Sequence, residues 1–84
     1  MLHKRSVSMS GHATSVALEP EFWAVLDAVA TEGGLSFAAL MKRIDETRGR
    51  TPLASACRLL ALAWAGGDRS FLDTEKAADP RSTA

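Results

Sequence analysis

In residues 11–23, GHATSVALEPEFW, Val16 and Leu18 alternate with Ser15 and Ala17, which is the two-residue period of a strand with one buried face. Pro20 ends the run because it cannot donate to a ladder, yet it suits the first turn of a helix, where its missing N–H costs nothing. A strand that passes straight into a helix constrains the fold severely. It cannot form a sheet alone, and left unpaired it exposes a row of backbone donors and acceptors.

Upstream, Val7 and Met9 alternate with Ser6, Ser8 and Ser10, a second short extended stretch that Gly11 interrupts. The apolar parity changes from odd positions at 7 and 9 to even ones at 16 and 18, so the two stretches cannot be one regular strand. A bulge or turn is required near Gly11–Ala13. A local hairpin would satisfy this, but serines have weak strand propensity, so the sequence predicts one usable strand in the chain.

Three helices follow. Phe22, Val25, Leu26 and Val29 recur at i, i+3, i+4 and i+7 behind Pro20, with Glu19 and Glu21 favouring the positive helix start and Gly33-Gly34 ending the run. Ser36 is the expected cap of a second helix, in which Phe37, Leu40, Met41 and Ile44 repeat the spacing until Gly49. Thr51 as cap and Pro52 at the first helical position open a third, with Leu53, Cys57, Leu60 and Trp64 on one face and Leu59 and Leu62 on another. That helix is apolar around most of its circumference, which predicts cover on more than one side. From residue 66 to 84 the chain is small and polar and is expected to be disordered, apart from a docking contact by Phe71 and Leu72.

With 84 residues the chain makes one small domain, and a core of that size is marginal without a disulfide, a metal or a second subunit. Cys57 is the only cysteine and His3 and His12 are the only histidines, so oligomerisation is the cheapest stabiliser. Cys57 sits in an apolar stretch and reads as a buried, inert thiol. Ten Lys and Arg balance ten Asp and Glu, but the charge is segregated. Lys4 and Arg5 make residues 1–13 a basic arm, residues 19–35 are acidic, and the stretch holding Lys42, Arg43, Arg48, Arg50 and Arg58 is basic again. No apolar h-region follows Lys4 and Arg5, and the richest apolar run, residues 59–65, is too short to span a bilayer, so the expected location is cytoplasmic.

One strand followed at once by two amphipathic helices joined through Gly-Leu-Ser resembles the ribbon-helix-helix fold of the MetJ/Arc superfamily. RSVSM, GHATSVALEPEFW, GLSFAAL, IDETRG and LASACRLL together resemble a family of small bacterial ribbon-helix-helix proteins over roughly residues 4–65. The resemblance implies a mainly α protein with one short strand: a ribbon-helix-helix domain over 14–65 including a third helix, and an intertwined homodimer. Each chain would donate its strand to an intermolecular two-stranded antiparallel ribbon that enters the DNA major groove. Val16, Leu18, Phe22, Leu26, Leu40 and Ile44 would form the dimer core, and Ala13, Ser15 and Ala17 would face base edges. Two alanines and a serine offer one hydroxyl and methyl contact, which makes direct readout sparse. Lys4, Arg5 and His12 beside the ribbon, and the helix start at Ser36, would hold phosphates.

The implied function is a small dimeric DNA-binding transcriptional regulator without catalysis, metal or cofactor. The alternative is a dimeric protein-interaction module, antitoxin-like or an accessory subunit, that docks a protein partner on its third helix. His12 also reads as a turn residue bonding local backbone. Asp45, Arg48 and Arg58 read as an ion-pair cluster between the second and third helices. No glycine-rich phosphate loop precedes a helix, and no cysteine and histidine set has metal spacing.

Overall fold

The computed structural model describes residues 1–9 and 11–72. Two strands, β1 (His3–Met9) and β2 (His12–Leu18), precede three helices, α1 (Pro20–Gly33), α2 (Phe37–Thr47) and α3 (Leu53–Ala65). The strands pair with each other, antiparallel, from His3 opposite Leu18 to Met9 opposite His12. This corrects the expectation of one strand per chain: β2 finds its partner in its own chain, and no second copy is needed to complete the ribbon.

The parity change that ruled out a single strand is the signature of this hairpin. Val7 stands opposite Thr14 and Arg5 opposite Val16, so an odd inward face on β1 meets an even inward face on β2. The connection between Met9 and His12 turns at Gly11, whose φ of 83° is costly for any residue with a Cβ. The low strand propensity of the serines is overridden because the residues between them, Arg5, Val7 and Met9, pack on the helices beneath.

α2 packs on β1, α3 packs on β2, and α1 packs on α3. The core between them holds Val7, Val16, Leu18, Trp23, Leu26, Val29, Leu40, Met41, Ile44, Cys57 and Trp64. Leu18, Leu26 and Leu40 are wholly inaccessible, each such burial being worth about 1.5–3 kcal/mol. Val16, Leu18, Leu26, Leu40 and Ile44, expected between two copies, are therefore covered within a single chain. Phe22 is only half-buried, because α1 is rotated so that Trp23, Leu26, Val29 and Ala30 face inward.

Helix ends follow local chemistry. Pro20 lies in the first turn of α1, and Gly34 closes that helix in the left-handed region at φ 66°. The Ser36 hydroxyl accepts the Ala39 amide at 3.0 Å and caps α2. Thr51 does not cap α3; Pro52 occupies that position with no side-chain bond, one residue later than expected. Residues 66–72 fold back onto the helices, which corrects the expected disorder over that stretch. Phe71 and Leu72 are half-buried against the core, as their apolar character anticipates, and Arg69 ties the turn to Glu32 and to the Trp64 carbonyl. The remainder of the expected tail, 73–84, lies outside the described residues.

Candidate nucleic-acid interface

The alternation that sends Arg5, Val7, Met9, Thr14, Val16 and Leu18 toward the helices turns Lys4, Ser6 and Ser8 of β1 to the opposite face of the ribbon, with Ala17, Ser15 and Ala13 of β2 standing opposite them. All six are exposed except Ala17, which is half-buried. The outer face is thus flat and built from small side chains, three hydroxyls and one ammonium. Such a surface allows close approach: Ser bonds donors or acceptors on any base edge, and Ala methyls meet the thymine methyl. Ser6 and Ser8 are additions to the face read from the sequence, which held only Ala13, Ser15 and Ala17. Their signal was the alternation of Ser6, Val7, Ser8 and Met9 ahead of Gly11.

Arg5 lies on the other side of the sheet from Lys4. Its guanidinium donates to both carboxylate oxygens of Asp27 on α1, with its Cζ 4.5 Å from the Trp23 ring centroid and 5.2 Å from that of Phe37. The Trp23 indole N–H donates to the His3 carbonyl at 2.8 Å, pinning the start of β1 to α1. Arg5 is thereby committed to holding the ribbon down, and Lys4 is the cation of the arm that faces outward. The Arg5 bond holds the Asp27 carboxyl below its ordinary range and raises the Arg5 guanidinium.

His12 is exposed beside the Gly11 turn and borders an open cleft of about 380 Å³ with Met9, Ala13, Thr14, Asp45, Arg48 and Leu53. Ser36 is exposed and its hydroxyl is occupied by the Ala39 amide, while the opening amides of Phe37 and Ala38 have no intrahelical acceptor. The stacking of Phe37 near Arg5 brings this helix start close to the Lys4 end of the ribbon. His12 thus lies at the turn end of the ribbon, and the start of α2 lies beside Arg5 on its helical side.

Most of the other arginines are already neutralised. Asp45 in α2 pairs with Arg48 just past the end of that helix at 2.6 Å, as the sequence suggests, but Arg58 joins Glu19 instead of that cluster, at 3.0 Å. Both pairs are half-exposed, so no buried charge cluster forms between the helices. A hydrogen bond with its own backbone and then the Arg58 guanidinium hold Glu19 below the usual carboxylate range. Among the described residues, Lys4, Lys42, Arg43 and Arg50 make no ion pair. Of these four only Lys4 was expected from sequence to hold a phosphate, and Arg43 donates to the Phe71 carbonyl and lies over the Phe71 ring.

Among the described residues no group of His, Cys, Asp and Glu could hold a metal ion, and no single helix is long and apolar enough to cross a membrane. Cys57 is fully buried, and burial pushes its thiol up to about 11, the opposite of what a reactive cysteine requires.

The ribbon-helix-helix domain matches this chain over residues 2–65, and the chain belongs to that family. No curated protein and no solved structure matches it.

Proposed function

We propose that the chain is a small DNA-binding transcriptional regulator that acts as a homodimer and lays the outer face of its β1–β2 ribbon in the major groove. The observation that carries this reading is the outer face itself. A two-stranded ribbon has the width the major groove admits, and Lys4, Ser6, Ser8, Ala13 and Ser15 are exposed with no bulky side chain between them and a base edge. Membership of the ribbon-helix-helix family supports it further. Lys4 and the α2 start beside Ser36 hold phosphates at one end of the ribbon, and His12 serves at the other. The acidic carboxylates Glu21 and Glu32 lie on α1, on the helical side of the ribbon, and stay clear of the duplex.

With one hydroxyl per position in place of long bidentate side chains, base discrimination is modest and phosphate contacts dominate affinity. Fluorescence anisotropy of a labelled duplex across a salt series tests the reading. Affinity should fall steeply with salt, and Lys4→Ala should lower the logarithmic slope by about 1 per chain on every sequence tested. No binding at low salt would refute it. A second reading, a module that docks a protein, is favoured by the exposure of Leu59 and Leu62 on α3.

A further inference from the structure

The connection between α2 and α3 is a fastened turn. Its Thr51 amide donates to the Arg48 carbonyl at 3.0 Å, and Gly49 supplies a left-handed step at φ 59°. The Arg48 side chain braces the turn, its Nε donating to Asp45 at 2.6 Å and its Nη1 to the Thr51 carbonyl at 2.8 Å. Arg50 stands between these anchored residues. It is exposed and, among the described residues, makes no ion pair or side-chain hydrogen bond.

This turn faces the tip of the ribbon. Arg48 and Leu53, on either side of Arg50 in the chain, line the open cleft of about 380 Å³ whose other wall is Met9, His12, Ala13 and Thr14. Met9 and Thr14 belong to the helical side of the ribbon and Ala13 to its outer side, so the cleft runs around the tip and meets the DNA-facing surface proposed above. His12 was expected to bond local backbone at the turn. Its ring makes no hydrogen bond among the described residues, and Nη2 of Arg48 is unspent as well. We propose that this cleft is a phosphate site, in which His12 from one wall, and Arg50 with the free Arg48 nitrogen from the other, hold a phosphodiester of the duplex.

The charges at the cleft fit that ligand. Asp45 is the carboxylate that lines it and is already neutralised by Arg48, while Glu46 does not line it. α2 ends and α3 begins at this turn, so the negative end of one helix and the positive end of the other offset, and the side chains set the sign. Arg50 then leaves the site positive. A small organic ligand fits less well, because such pockets are mostly apolar and enclosed, and here Met9, Ala13 and Leu53 supply the apolar surface of an open cleft. The bonds that brace the turn also mean that little backbone order is lost on binding. This inference rests on the DNA reading and adds to it a contact from the α2–α3 turn, outside the ribbon.

The test is duplex affinity by anisotropy across a salt series for wild type, Lys4→Ala, Arg50→Ala and Arg50→Lys. Arg50→Ala should lower the logarithmic slope by about 1 per chain and weaken binding roughly five- to tenfold at about 0.1 M salt on every sequence. Arg50→Lys keeps the charge and should recover most of both. Combining Arg50→Ala with Lys4→Ala should lower the slope by the sum of the two, since separate contacts add. Urea unfolding of each variant should match wild type, because Arg50 carries no bond within the fold. Wild-type protein that binds no duplex at low salt would overturn both the DNA reading and the site. A series in which Lys4→Ala loses slope and Arg50→Ala keeps it would overturn the site alone, as would a loss in Arg50→Ala that Arg50→Lys does not recover.

Discussion

Arg5 and Asp27 meet end-on, with the two guanidinium nitrogens 2.9 and 3.0 Å from the two carboxylate oxygens, and the same guanidinium lies over the Trp23 ring. This one side chain ties β1 to α1 and, through Phe37, to the start of α2. Because both partners are a third or more exposed, solvent limits the ion pair to about 0.5–1 kcal/mol, and the aromatic stacking adds a similar amount. Arg5→Ala should therefore cost about 1–2 kcal/mol in urea unfolding, and Asp27→Ala about half of that. Arg5→Lys should recover little, since an ammonium cannot bond both oxygens while lying flat on the indole.

Acid should erode the fold through carboxylates whose folded values are depressed. Asp27 is lowered by the Arg5 hydrogen bond, Glu19 by its own backbone and then by Arg58, and Asp68 by the side chain and backbone amide of Ser70. Each binds a proton more readily unfolded than folded, so its contribution is present above the unfolded value near 4 and is lost as pH falls through the lower folded value. Thermal melts should be nearly flat from neutral pH to about 5 and decline below about 4. In Asp27→Asn that decline should be shallower, and an unchanged profile would contradict the assignment.

Cys57 works in the opposite sense. Its thiol is held up to about 11 by burial in the core, so between the ordinary thiol range near 9 and that value the unfolded chain ionises while the folded one does not. Stability present below pH about 9 should be lost as pH rises toward 11, by roughly 2–3 kcal/mol in all. Cys57→Ala should remove this alkaline loss at the expense of a small core defect. A thiol reagent should react with native protein at pH 8 only as fast as the fold opens.

The helices were legible because their signals are local. Pro20, Gly34, Ser36 and the apolar spacing of Leu26, Val29, Leu40 and Ile44 each specify an end or a face within a few residues. The rotation of α1 was harder to read, since Phe22 and Trp23 are adjacent aromatics and only the third dimension decides that Trp23 reaches the His3 carbonyl. β1 was obscured for a physical reason as well. Its serines disfavour a strand locally, and what compensates is Arg5 docking on Asp27 and Trp23, more than ten residues away in the chain. Lys4 and Arg5 look equivalent in sequence, yet the two-residue period of the strand places them on opposite faces, one outward and one in an ion pair. Arg58 illustrates the same point, since its partner Glu19 comes from the junction of β2 and α1, not from α2.

The most direct test of the proposed role is a titration of the isotopically labelled full chain with a short duplex at low salt, read as amide chemical-shift changes. The outer ribbon face predicts that the largest changes fall on Lys4, Ser6, Ser8, Ala13, Ser15 and Ala17, with smaller ones at the Ser36 end of α2 and little change along α1. Changes gathered on α3 around Leu59 and Leu62, or no change at all, would contradict it.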